Sequence, residues 1–210
     1  MGNEIPMYRD EKKTYDFERI EALIEEKGGM AKTGDILALG IDYRRLLSFL
    51  DEGKLKRIKN GYYGLADDDD EEKLIATMFK DGILTMASGL FYQGYLKMRP
   101  SSWSIAVSKN VSKSRFKLSY PVITPYYCEE SAMSFGVEIK NVGGQMMKVY
   151  TKDRLACEVL KYEDKISRDD FKEGLLNYIK DESKNVEKLM EFAAKRKVTN
   201  KVRQVIGVWL

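Results

Sequence analysis

Along residues 15–65 the apolar positions follow a helical period three times and then an alternating one, and glycine marks most of the changes. Tyr15 to Lys27 places Phe17, Ile20, Ala22, Leu23 and Ile24 near one helical stripe, with Asp16 as its N-cap, and Gly28-Gly29 stops it. Thr33 is expected to cap a short helix carrying Ile36, Leu37 and Leu39, which Gly40 ends. Asp42 caps a third helix, whose Leu46, Leu47, Phe49 and Leu50 face inward and which closes at Gly53. Lys54–Ile58 and Tyr62–Leu65 then read as strands joined through Lys59-Asn60-Gly61, where Asn-Gly is a strong hairpin signal. Three helices followed by a tight hairpin predict a winged helix-turn-helix.

The acidic run Asp67-Asp68-Asp69-Asp70-Glu71-Glu72 interrupts this pattern as a solvated linker, and its last residues suit the first turn of a new helix. Beyond it, Lys73–Lys80 and Ser88–Leu96 read as helices. Trp103–Val107, Val122-Ile123, Met133–Ile139 and Met146–Tyr150 read as strands, with a hairpin at Gly143-Gly144. From Lys152 the chain is helical, with stripes at Leu155, Ala156, Val159 and Leu160, at Phe171, Leu175, Leu176 and Ile179, and at Val186, Leu189, Met190 and Ala193. A closing segment runs from Val202 to Trp209. Strands and helices in separate blocks argue an α+β class. The expected division is residues 1–66 as the winged helix, 67–72 as acidic linker and helix start, and 73–210 as a mixed α/β domain ending in several helices.

Composition narrows the function classes. The 210 residues carry a formal net charge of only +3, so any argument for nucleic acid rests on where the charges sit. No apolar run approaches the roughly 18 residues of a membrane span, and the N-terminus lacks an apolar signal region, so a cytoplasmic protein without a membrane partner is expected. There is no histidine, which excludes imidazole catalysis and imidazole metal ligation. Cys128 and Cys157 stand far apart and read as free thiols in a reducing compartment, so no metal and no cofactor are expected.

In the winged-helix order the third helix enters the major groove, with its N-terminal residues against base edges. Those are Tyr43, Arg44, Arg45 and Ser48; arginine holds guanine bidentately, and hydroxyls reach bases or phosphates. The wing adds Lys54, Lys56, Arg57, Lys59 and Asn60 with no acid among residues 54–65, and Thr33 completes the candidate DNA-binding set. A second basic surface is suggested by Lys97, Arg99, Lys109, Lys113, Arg115 and Lys117, joined by Lys195, Arg196, Lys197, Lys201 and Arg203. Asp153, Arg154 and Glu158 read as a buried polar network. Gly143-Gly144 lacks the Lys-Ser/Thr of a phosphate loop, and Ser88 lacks the flanking glycines of a nucleophile elbow, so no catalytic residues and no enzyme are expected.

Several stretches resemble the AbiEi-type antitoxins of abortive-infection, type IV toxin–antitoxin systems. They are Gly29–Ile36, the turn Leu39-Gly40-Ile41, the wing ending Gly61-Tyr62-Tyr63-Gly64-Leu65, the segment Met147–Arg154, and Val186–Leu210 through Leu189, Ala193, Ala194, Val198, Lys201, Val202 and Arg203. The family's Thr and Asp after the arginine are Leu155 and Glu158 here. The resemblance implies a phage-defence protein that represses its own promoter at inverted repeats in duplex DNA. It also implies that the second domain counteracts a cognate nucleotidyltransferase toxin, by direct binding or otherwise. A transcriptional regulator with a ligand-sensing or oligomerising second domain, and no toxin, is the other reading. Oligomeric state is left open.

Overall fold

The computed structural model describes residues 9–68, 70–118 and 120–207, and the chain divides after Met78 into two compact units. In the first unit α1 (Arg9–Glu26) is followed by β1 (Ala31–Lys32), α2 (Thr33–Ala38), α3 (Tyr43–Asp51), β2 (Leu55–Lys59), β3 (Tyr62–Leu65) and α4 (Glu71–Met78). The strands form an antiparallel sheet in the order β1-β3-β2. Ile20 and Ile24 of α1, Ile36 of α2, Leu46 and Phe49 of α3, and Leu55, Tyr63 and Leu65 of the hairpin close one core. This is a winged helix-turn-helix.

Three expectations are corrected. α1 begins before Asp16, because Asp10 and Glu11 suit a first turn and Glu11, Lys12 and Lys13 are good helix residues, although no apolar stripe marks them. Asp16 is therefore an interior, buried residue rather than a cap. Thr33 is likewise not the cap of α2: it is the first helical residue, after Lys32, and its hydroxyl points across to the wing. The two-residue β1 pairs with β3, Ala31 opposite Tyr63, and is too short for any period to reveal. Within the hairpin a one-residue bulge falls between Arg57 and Lys59, and the turn rests on Gly61 at φ 76°. The acidic run leads into α4 as expected, but α4 belongs to the first unit, where Thr77 Oγ1 donates to Gly28 O at 3.0 Å.

The second unit contains β4 (Ile83–Leu84), α5 (Met86–Tyr92), β5 (Trp103–Ser108), β6 (Ile123–Cys128), α6 (Glu130–Met133), β7 (Val137–Val142) and β8 (Gln145–Tyr150). Helices α7 (Lys152–Lys161), α8 (Arg168–Lys180), α9 (Val186–Arg196) and α10 (Thr199–Val205) follow. A mixed five-stranded sheet runs β6-β5-β4-β8-β7, with β4–β8 and β5–β6 parallel and the other pairs antiparallel. Its core joins Ile83, Leu90 and Tyr150 to Leu155, Val159, Leu175, Leu189, Ala193 and Val202 of the helices. The unit is thus the mixed α/β part of an α+β protein, ending in several helices.

The strand expected over Met133–Ile139 is replaced by α6 and then β7, because Ser134 to Gly136 break the extended run. The central β4 was hidden in the Ile83-Leu84 pair. Leu176, expected on the inner stripe of α8, is 53% exposed, and Tyr178 is buried in its place. Trp209 and Asp69 lie outside the described residues. Among the described residues no helix is long and apolar enough to cross a membrane. Cys157 is buried and Cys128 half-buried, both free; burial pushes the Cys157 thiol up to about 12.

Candidate nucleic-acid interface

Helix α3 is buried on one face and open on the other. Phe49 and Leu46 sit in the core, with the Phe17 and Phe49 ring centroids 5.3 Å apart. The Asp42 carboxylate accepts from Arg45 N at 2.7 Å, which satisfies a first-turn amide and sets the start of the helix. Tyr43 and Arg44 then project from the exposed first turn, Tyr43 at 46% exposure, and Arg44 has no hydrogen-bond or ion-pair partner among the described residues. Arg45 is half-buried, its Nε 3.4 Å from Asp16 Oδ2 of α1. Ser48 Oγ donates to Arg45 O at 2.8 Å, leaving its lone pairs outward. Asp42, Arg44, Arg45 and Ser48 together line a shallow hollow of about 220 Å³. Asp42, singled out in the sequence only as a cap, adds a carboxylate beside the two arginines.

The wing bases divide into two sets. Lys59 Nζ stands 4.2 Å from the centre of the Tyr62 ring, and Lys32 Nζ stands 5.8 Å from the same centre. The exposed Arg57 packs on Tyr63 at 5.8 Å, and Asn60 is exposed at the tip. Thr33 donates to Gly61 O through both its amide, at 3.0 Å, and its hydroxyl, at 3.3 Å, so it anchors the wing tip to the start of α2. Lys54 and Lys56 turn back to the protein. Lys54 lies 5.2 Å from the Phe17 ring and 3.7 Å from Glu52, while Lys56 donates to Asp68 O at 2.6 Å. The sequence does not point to Lys32 and Tyr62 as candidates, because only the pairing of β1 with β3 brings Lys32 beside the hairpin.

The second basic group divides into residues paired with acids and residues left in solvent. Arg115 makes two hydrogen bonds to Asp81, at 2.7 and 2.5 Å, which hold that carboxyl below its usual range. Lys109 pairs with Glu129, Lys195 with Glu191 and Lys201 with Glu163, and Arg99 packs on Trp103. Lys97 is exposed, and Lys113, Lys117, Lys197 and Arg203 are exposed with no ion pair among the described residues. Arg196 is corrected outright: it is only 8% exposed, and its Nε and Nη2 grip both oxygens of Glu158 at 2.5 and 2.9 Å. Burial alone would ease the proton off Arg196, but Glu158 outweighs it and the pKa is raised.

Glu158 also takes Arg154 Nη2 at 2.9 Å, so two of the three expected members of a buried network pair, and the third member of the observed triad is Arg196 rather than Asp153. Asp153 is buried too but serves other partners, accepting from Tyr178 OH at 3.0 Å and Asn185 N at 2.9 Å. Arg154 is fully buried between the Phe135 and Tyr150 rings, 4.1 and 4.7 Å from their centres. Its Nε and Nη1 have no hydrogen-bond partner among the described residues.

The fold thus defines a winged-helix protein with an attached α+β unit. Residues 18–66 match the model of a family described as transcriptional regulator, AbiEi antitoxin, so the resemblance to AbiEi-type antitoxins is shown over the winged-helix segment. The crystal structure of the RV2827C protein from Mycobacterium tuberculosis is similar to this chain with a TM-score of 0.63 at 12% identity, over 90% of this chain and 77% of that one. That likeness shows a shared fold. No curated protein matches the chain.

Proposed function

We propose that this chain is a DNA-binding antitoxin that represses its own promoter and counteracts a cognate nucleotidyltransferase toxin. The observation that carries the reading is the exposed start of α3, where Arg44, beside Asp42, Arg45 and Ser48, has no ion pair among the described residues, within a segment that matches an antitoxin–regulator family. In this reading Arg44 contacts a base edge in the major groove, Arg45 is steered by Asp16, and Lys59, Lys32 and Arg57 lie along phosphates. The second unit carries toxin neutralisation, and the protein works in the cytoplasm as part of phage defence, without turnover of its own.

A mobility-shift titration on the duplex upstream of the gene, at two salt concentrations, tests the DNA part. Binding preferred over a scrambled duplex and weakened by salt is expected; equal binding to both duplexes contradicts it. Co-expression with the neighbouring nucleotidyltransferase tests the other part, with rescue of growth expected from the full chain and from its Arg44→Ala variant alike. A ligand-sensing regulator is the second reading. It is favoured by a cleft of about 450 Å³ in the second unit, lined in part by Gln93, Thr151, Asp153, Asn185 and Phe192.

A further inference from the structure

The two edges of the five-stranded sheet differ. The β6 edge contains Pro125, which has no amide hydrogen to offer a further strand. The β7 edge has no proline and no bulge: its register with β8 is regular from Val137 opposite Tyr150 to Val142 opposite Gln145. Among the described residues no strand pairs with its outer side. At its centre Ile139 is 56% exposed, a β-branched apolar residue on an uncovered edge.

The backbone parity of β7 is fixed. Gly143 and Gly144, at φ 56° and 76°, form a two-residue turn of the I′ kind, which closes on Val142 and Gln145 as a hydrogen-bonded pair. Thr151 N donating to Gly136 O at 2.9 Å shows the same parity at the other end. By alternation, Glu138 and Lys140 spend their backbone groups on β8, while Val137, Ile139 and Asn141 present theirs to the outside.

We infer that β7 is a homodimerisation edge, pairing antiparallel with β7 of a second copy about a twofold axis at Ile139. In that register the outward amides and carbonyls of Ile139 bond its own counterpart, and Val137 bonds Asn141 of the other copy. Directly opposite residues share a face, so Glu138 meets Lys140 of the second copy and Lys140 meets Glu138. Within one chain these two side chains already lie 3.4 Å apart on the same face, Glu138 taking Gln93 Nε2 at 2.8 Å and Lys140 donating to Tyr92 O at 2.9 Å. The sequence Glu-Ile-Lys is self-complementary when reversed against itself, and the backbone parity selects that same register. One pair of short strands buries less than the roughly 1,200–2,000 Å² of a stable interface, so the dimer is weak when free and strengthens when both copies are held close. The pairing does not depend on whether the winged helix reads DNA, but a twofold dimer is the symmetry that inverted repeats require.

Sedimentation velocity of the full chain, from low micromolar to several hundred micromolar, provides the test. Reversible dimerisation is expected for the natural sequence. Glu138→Lys opposes lysine to lysine and Lys140→Glu opposes glutamate to glutamate, so each alone is expected to weaken association by about tenfold or more. An equimolar mixture of the two variants restores both pairs and is expected to dimerise again. A natural chain that stays monomeric throughout overturns the inference and leaves the edge to a strand of a different protein. Single variants that associate like the natural chain, or a mixture that fails to recover, overturn it as well.

Should either charge variant fail to fold, Ile139→Cys reads the same register. Its Cα would lie about 5.5 Å from its counterpart, within disulfide reach. Asn141→Cys would lie roughly 13 Å from its counterpart along the strand. Oxidative cross-linking of the first and not the second is expected, and equal yields contradict the register.

Discussion

Arg44 on α3 and Arg196 on α9 look alike in the sequence, each sitting in a basic stretch of an amphipathic helix. In the fold they are opposites. Arg44 stands in solvent without a partner among the described residues, over a helix whose other face is buried. Arg196 is enclosed, and with Arg154 it shares the single carboxylate of Glu158. The first arrangement leaves five donors ready for a ligand at no cost in folding; the second uses the same donors to join α7 to α9. Basic character alone distinguishes neither, and what separates them is whether an acid meets the guanidinium in the core.

The sharpest way to break the comparison is Glu158→Ala. It leaves two buried guanidiniums facing each other, and a loss of about 3–5 kcal/mol is expected in chemical denaturation. A loss under about 1 kcal/mol would mean that the triad is not a structural joint. Arg44→Ala is expected to do the reverse: about 1–3 kcal/mol less binding to the upstream duplex, with an unchanged denaturation midpoint.

Smaller effects sharpen the wing side. Lys59→Ala and Lys32→Ala are each expected to weaken all duplexes alike and to reduce the slope of log affinity against log salt by about 0.9. Lys54→Ala and Lys56→Ala, whose ammonium groups face the protein, should change that slope less.

The smallest effect belongs to Asp181 in the second unit. It accepts from Ser183 Oγ at 2.5 Å, Tyr95 OH at 2.5 Å and Lys152 Nζ at 3.0 Å, and these contacts hold its carboxyl well below the usual range. A depressed folded pKa stabilises above the unfolded value, near about 4, and that contribution is lost as pH falls through the folded one. Thermal melts at decreasing pH should therefore show an acid-side loss that Asp181→Asn makes shallower; an identical pH profile would remove Asp181 from the account.

Much of the winged helix was legible in the sequence, because each of its elements carries its own local signal. Asp42 caps α3 as read, Gly61 turns the wing, and Leu46 and Phe49 of the expected stripe face the core, while Leu47 does not join it. What escaped was set by tertiary pairing. β1 is two residues long and exists through β3, and with it came Lys32. Thr33 looks like a cap but is claimed by Gly61 O, 28 residues away. The second unit was harder for the same reason: β4 is a two-residue strand between distant partners, and the burial of Arg196 follows from an acid 38 residues earlier.

The most direct measurement is fluorescence-anisotropy titration of one upstream duplex with three proteins: the natural chain, Arg44→Ala and Arg203→Ala. Both arginines are exposed and neither has an ion pair among the described residues, one on the winged helix and one on the closing helix of the second unit. Loss of about tenfold or more for Arg44→Ala, with Arg203→Ala close to the natural chain, is the expected result. Equal losses, or a larger loss for Arg203→Ala, would contradict the assignment of DNA reading to α3.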